Sequence, residues 1–159
     1  MNIRDVLKEL GSQMGLDNLK LDENRVCRLV FDKEYAVDIE ASEDEKIVHI
    51  YARGVSVPPE KREEFYALLL EANLFGKGTG GAMFALDQTQ NDVYLCRALA
   101  MDSTDYQDFV NVLESFVNHL EAWAKKIDSG ALTREGGASK TSSEVEMLPP
   151  GPGEGFIKA

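Results

Sequence analysis

Six residues in the middle of this chain, Gly76-Lys77-Gly78-Thr79-Gly80-Gly81, follow the spacing G-x-G-x-x-G. In a dinucleotide fold, glycines so spaced let the backbone approach a pyrophosphate, so the chemistry on offer is phosphate binding. Chain direction argues against it. In that fold a strand enters the loop and a helix leaves it, which aims the helix N-terminus at the anion. Here the apolar run from Leu68 to Phe75 enters at helical spacing, and the alternating run Ala82-Met83-Phe84-Ala85-Leu86-Asp87 leaves. The nearby helix end is therefore the C-terminal one, whose partial negative charge repels phosphate. The Walker pattern also fails, because Lys77 is followed by Gly78 instead of Ser or Thr. The loop reads best as a helix cap and a tight turn into a strand. A small nucleotide-binding or regulatory protein using Gly76 to Gly81 is the competing reading.

Other reactive side chains lack partners. His49 and His119 are the two histidines, and neither has a Cys or acidic neighbour at ligand spacing. They read as packing or surface residues. No Ser-His-Asp or Cys-His order and no HExxH is present. The sequence thus predicts no catalytic residue, no metal ligand and no cofactor, hence no enzyme. Cys27 and Cys96 each sit in an apolar strand-like run without a CxxC partner and read as buried free thiols.

The 17 Lys and Arg against 28 Asp and Glu give a net charge of -11. Such a field repels phosphate backbones and anionic lipid, which argues against nucleic acid or membrane as partner. No apolar run reaches membrane-span length, and the start, Met1-Asn2-Ile3-Arg4-Asp5, has no signal-peptide core. A cytoplasmic location is expected.

These side chains need elements to place them. Ile3, Val6, Leu7, Leu10 and Met14 recur at helical spacing before Gly15, which predicts a helix near 2–14. Alternating runs over 25–31, 35–40 and 46–53, joined by short polar turns, predict an antiparallel meander. Pro58 and Pro59 should open a second helix that runs to about Leu74 and is capped by Gly76. Strands are expected near 82–86 and 92–100. A long helix follows, with the stripe Tyr106, Phe109, Val110, Leu113, Phe116, Val117, Leu120, Trp123 and Ile127; Thr104 with Gln107 fits its capping box and Gly130 its stop. The order α-β-β-β-α-β-β-α predicts an α+β fold over 1–129, a twisted antiparallel sheet built from two groups of strands and packed by helices. The Gly-, Pro- and Ser-rich remainder, 130–159, reads as a disordered tail. Within it Phe156 and Ile157 read as a short docking motif or as an inert terminus.

Two surfaces carry more apolar area than a small core needs. On helix 2, Phe65, Leu68, Leu69 and Ala72 share a face that Tyr66 and Leu70 widen; the stripe is buried in a thick core, or buried twice, against the sheet and against a second subunit, and the small size of the domain favours the second reading. On the strands, Val26 and Val30 flank Arg28, and Ile47 and Tyr51 flank His49, on the face opposite the core pattern. Those residues either bind a partner or are simply tolerated.

Leu69-Leu70-Glu71-Ala72-Asn73-Leu74-Phe75-Gly76, then Thr79-Gly80-Gly81-Ala82, then Phe84-Ala85-Leu86-Asp87 resembles the helix-2-to-strand-4 signature of the class I type III secretion chaperones, the Tir chaperone or CesT-like family. With the element order, the resemblance covers about 1–128. It implies a cytoplasmic bacterial homodimer, without catalysis or bound nucleotide. Such a dimer holds the N-terminal segment of a secreted effector in extended, export-competent form, with the export apparatus as a further partner. On this resemblance the dimer interface maps to Phe65, Tyr66, Leu69, Leu70, Asn73 and Phe75. The effector surface maps to Ile3 and Leu7 on helix 1 and to Val26, Arg28, Val30, Ile47, His49 and Tyr51 on the sheet.

Overall fold

A computed structural model describes residues 1–130; the expected tail lies outside the described residues except for Gly130. The elements are α1 (Ile3–Met14), β1 (Val26–Phe31), β2 (Tyr35–Ala41), β3 (Ile47–Ser56), α2 (Arg62–Asn73), β4 (Met83–Asp87), β5 (Asp92–Ala100) and α3 (Tyr106–Asp128). The fold is α+β, as the periodicity predicts. The strands form the expected antiparallel sheet, in the order β1-β2-β3-β5-β4, and the two groups of strands join through β3 and β5. The connection through α2 carries the chain past the edge, so β5 pairs directly with β3 and β4 becomes the far edge.

Alternation decides which sheet face is covered. Cys27, Leu29 and Phe31 of β1, Val37 and Ile39 of β2, and Val48, Ile50 and Ala52 of β3 are buried under α1 and α3. Ile3, Val6, Leu7 and Leu10 line the inner side of α1; Phe109, Leu113, Phe116 and Leu120 line that of α3. A second, smaller core gathers Val57, Phe65, Leu69, Ala72, Val93 and Trp123, and it fastens α2 to the last turns of α3. Cys27 lies on the covered face and Cys96 on the open one, following the register Cys27↔Ile39↔Ile50 and Tyr51↔Cys96. They cannot bridge each other within the chain, and both are free. Burial raises both thiol pKa values, which keeps them protonated.

Local chemistry shifts several boundaries. α1 stops where Gly15 adopts a left-handed backbone (φ 67°). Pro59 biases Pro58 to extended backbone, and Lys61 is left-handed (φ 54°), so α2 starts at Arg62, beyond the two prolines. The cap of α3 is Asp105 with Asp108, one residue past the expected Thr104 and Gln107: Asp105 accepts from the Asp108 N–H at 2.8 Å. Thr104 is occupied elsewhere, its hydroxyl donating to the Ala100 carbonyl at 2.8 Å. β3 runs to Ser56, three residues past the expected end, because a bulge between Arg53 and Val55 keeps it paired with β5.

The bulge is held by a buried acid. Asp92 accepts from the Ser56 hydroxyl at 2.7 Å and from Arg53 Nε at 2.7 Å. The Ser56 bond, then the Arg53 guanidinium, holds its carboxyl below the usual carboxylate range. The folded value is depressed, so this stabilisation is present above the unfolded value, about 3.9, and is lost as pH falls through the folded one. Asp92→Asn should therefore flatten the acid limb of stability. Urea midpoints measured between about pH 5 and 3 should fall more steeply for the wild type than for the variant; parallel profiles would show that Asp92 carries no linkage.

Candidate functional site

The glycine loop has no donors arranged to cradle an anion. The Lys77 N–H donates to the Leu74 carbonyl, Gly78 to Ala72, Thr79 to Gly76, Gly81 to Gly76 and Ala82 to Thr79. The Thr79 side chain is buried and its hydroxyl donates to the Ala82 carbonyl. Two carbonyls of the loop are also used: Trp123 Nε1 donates to Gly78 O at 2.8 Å, and Arg97 donates to Gly80 O. Gly76 requires its glycine, since it is left-handed (φ 66°) and a Cβ there would lie 2.8 Å from the Gly81 Cα. His119, the second lone histidine, packs on Gly80 with Nδ1 2.7 Å from the Ser115 carbonyl. Among the described residues no group of His, Cys, Asp and Glu has the arrangement of a metal site.

What the loop builds is an apolar edge. α2 ends at Asn73 and passes through a short 3-10 turn, Leu74–Gly76, in which Phe75 is left-handed (φ 55°). That strained backbone turns the Phe75 ring outward, 85% exposed. Leu70 on α2 is 68% exposed, and Leu74, Met83 and Leu86 are also exposed, Met83 and Leu86 on opposite faces of β4. Of the residues mapped to an interface, Leu70 and Phe75 are thus on the surface and Tyr66 is half-buried. Phe65 and Leu69 are not available to a second subunit, because both are buried in the Trp123 core of their own chain. Their place in the α2 stripe reflects packing inside the protomer. Leu74, Met83 and Leu86 escaped the sequence reading, although their apolar types next to the loop were a usable signal.

Asn73 has a separate task. Its Oδ1 accepts from the Phe84 N–H at 2.7 Å and its Nδ2 donates to the Phe84 carbonyl at 3.2 Å. The side-chain amide thus occupies the middle of the outer β4 edge as a neighbouring strand would.

The opposite edge is open. Val26 turns both backbone groups outward, to Asp22. By strand alternation Arg28 and Val30 also face outward, and among the described residues no backbone group pairs with them. Beside this edge runs a groove of about 310 Å³ lined by Met14, Leu16, Leu19, Arg28, Val30 and their neighbours. Val30 is 58% exposed and Leu16 is also exposed. The uncovered sheet face continues across Arg28, which makes two 2.7 Å bonds to Asp38, to His49, Ile47 and Tyr51. Tyr51 donates to Glu40 at 2.9 Å, and burial followed by that acceptor raises its pKa. Of the residues mapped to an effector surface, Val26, Arg28, Val30, Ile47, His49 and Tyr51 therefore share one face. Ile3 and Leu7 do not join them. Both are fully buried between α1 and the sheet, and the exposed side of α1 is polar (Arg4, Asp5, Lys8, Ser12).

The chain matches the model of the Tir chaperone protein (CesT) family over residues 5–124. A protein of Chlamydia pneumoniae is 30% identical over 114 residues, covering 71% of this chain and 86% of its own. Among solved structures, the ExsC–ExsE complex superposes with a TM-score of 0.65 at 21% identity, over 79% of this chain and 96% of that one. The Yersinia pestis type III secretion chaperone SycH, in complex with a stable fragment of YscM2, gives 0.59 at 21% identity, over 76% and 98%. At these identities the structures establish the shared fold.

If Asn73 plugs the β4 edge, Asn73→Ala should destabilise the chain by about 1–3 kcal/mol in urea unfolding. Hydrogen exchange at the Phe84 amide should accelerate more than at its β5 neighbour Leu95. Equal acceleration at both would point to general loosening instead.

Proposed function

From its membership of the Tir chaperone protein (CesT) family, to which this chain belongs, we propose that the protein is a chaperone for type III secretion effectors that works as a homodimer in the bacterial cytoplasm. It binds the N-terminal segment of an effector in extended form, keeps it soluble and passes it to the export apparatus. No step of this task requires bond chemistry. The observation that carries the reading is the pair of separate surfaces: the β1 edge, free at Arg28 and Val30 and flanked by a groove, and the exposed apolar side chains around the end of α2 and β4.

An open edge suits an unfolded client. Arg28 and Val30 offer outward N–H and C=O groups to any extended segment, so much of the affinity is independent of client sequence. The groove beside Met14, Leu16 and Val30 then selects apolar side chains at strand spacing. The net charge of -11 favours neutral or basic segments and keeps loaded chaperones apart.

The second surface suits a second copy. Leu70, Leu74, Phe75, Met83 and Leu86 expose apolar area on α2, its turn and β4, the region the family resemblance assigns to dimerisation. Tyr66, half-buried, would sit at its rim, and Asn73 would act there through the β4 backbone. Two client sites on one dimer hold a single chain at two places, which strengthens capture without folding it.

Size measurement at micromolar concentration should give a dimer for the wild type and a monomer for Leu70→Asp with Phe75→Asp; a wild-type monomer would remove the dimer from this account. Co-purification should recover effectors through their N-terminal segments. Val30→Asp should lower retention about tenfold or more while leaving the dimer intact, since it places a charge in the groove. Unchanged retention would exclude the β1 edge as the client site.

A further inference from the structure

The sheet forks at one end. β2 and β3 are paired from Ala41↔Val48 to Asp38↔Tyr51 and no further. Both strands go on past that point, β2 beside β1 back to its first residue, Tyr35, and β3 beside β5 as far as Ser56. The bulge between Arg53 and Val55 accounts for the parting, since a bulge bends its strand and adds twist, which carries the end of β3 away with β5. Alternation fixes what the fork presents. Val26 faces outward, so Cys27, Leu29 and Phe31 bond to Ile39, Val37 and Tyr35 of β2. That leaves Glu40, Asp38 and Ala36 to face β3. Glu40 and Asp38 find partners in His49 and Tyr51, whereas the Ala36 N–H and C=O turn into the fork, where no residue of β3 is paired with them.

A cleft of about 310 Å³ occupies the fork. Ala36 lines it on the β2 side, Gly54 and Val55 on the β3 side, and Trp123 and Ile127 of α3 cover it. The Phe84 and Trp123 rings, edge to face at 4.9 Å, give it an aromatic wall. Arg53 also stands there, but its guanidinium is bound to Asp92. The mouth mixes Glu34 and Asp128 with Lys125, which is bound to Glu121 and acts on the same ground as Glu34, so it selects no sign of charge. An unpaired strand backbone beside an apolar cleft fits an extended polypeptide that carries an apolar side chain. A small apolar molecule would fill the cleft and leave the Ala36 groups bare.

Position says which polypeptide. The cleft reaches Glu34 and Tyr35, and the groove beside the β1 edge reaches Val30 and Phe31. Only the exposed turn residues Asp32 and Lys33 separate them, so the two depressions meet at one hairpin tip from its two sides. A segment that runs antiparallel to β2 in the fork and antiparallel to β1 at the edge needs a single turn around that tip. The crossing is three strand spacings, about 14 Å, or roughly four to five extended residues. We propose that a client segment held at the β1 edge continues around the β1–β2 turn and enters the fork, where it pairs with Ala36 and places an apolar side chain against Trp123. The proposal rests on the reading of β1 as the client edge and adds a second contact on the same protomer. It calls for a segment of roughly ten residues, apolar at both ends and polar where it crosses the exposed turn.

The probe is a synthetic peptide of roughly ten residues, with Leu at alternate positions of its two ends and Ser and Lys between them. It is titrated into the full chain and followed by side-chain NMR. The methyls of Leu16 and Val30 report the β1 edge; the Trp123 indole N–H and the methyls of Val55 and Ile127 report the fork. Both sets should move along one binding curve. Ala36→Pro removes an N–H that no strand partner uses, so it should leave the fold intact and weaken the fork response about tenfold while the edge response persists. Ala124→Asp puts a carboxylate into the cleft wall from α3 and should weaken the fork response about tenfold or more without touching β2. The two halves of the peptide, added singly, should each bind about tenfold or more weakly than the whole. Fork signals that stay still at millimolar peptide, or that move equally in wild type and both variants, would overturn the proposal. Equal affinity of whole and halves would overturn the single path around the turn. If the edge set moves alone, the fork is removed and the reading of β1 stands; if the fork set moves alone, it is the reading of β1 that goes, and the path with it.

Discussion

The arrangement of this molecule depends on a loop that is bonded largely to its own chain. Between Gly76 and Gly81 the amides of Lys77, Gly78, Thr79 and Gly81 are bonded to carbonyls of the loop and of the end of α2, and two carbonyls accept from side chains of other elements, Trp123 of α3 and Arg97 of β5. A single bond of this kind contributes only about 1 kcal/mol net. Their joint effect is geometric, because they fix the angle at which α2 leaves and β4 returns. The outward ring of Phe75 and the start of β4 at Met83 follow from that path. The glycines serve close approach of backbone to backbone, which is the same physical permission that a phosphate site would use for a different end.

From that joint follows a division of labour within the sheet. Its covered face supplies the main core and its open face remains accessible, as expected for an antiparallel sheet with helices on one side. Each outer edge is occupied at one residue, Val26 by Asp22 and Phe84 by Asn73. What sets the β1 edge apart is the groove that runs beside its free residues Arg28 and Val30. In the proposed function the client takes the β1 side and the copy takes the α2–β4 side, so neither event competes with the other for the same backbone groups.

The parts legible in the sequence were those governed by period and direction. The stripe of α3, the alternation of β1 to β3 and β5, and the order of helix, loop and strand around Gly76 each depend on local spacing, and each is found. Contacts that depend on tertiary partners were not legible. The paired status of β5 with β3 is settled by the path of α2, which no local pattern encodes. Asp105 in place of Thr104 caps α3 because Thr104 bonds back to Ala100, a choice made by the turn before the helix. The stripe on α2 misled for a related reason: Phe65 and Leu69 are apolar for a core inside the chain, built around Trp123, fifty or more residues away in sequence. Ile3 and Leu7 fell to the same ambiguity, since helical period locates an apolar face without saying what covers it.

Both outer strands of the sheet are shortened from within. A sheet with long free edges is bifunctional, and strand addition can then propagate from one molecule to the next without limit. Here Asp22 takes the outward groups of Val26 and Asn73 takes those of Phe84, so each edge keeps only a short run of free backbone. A segment that adds to either side can pair over one or two residues before it meets a side chain already in place, which gives fibre growth little to build on.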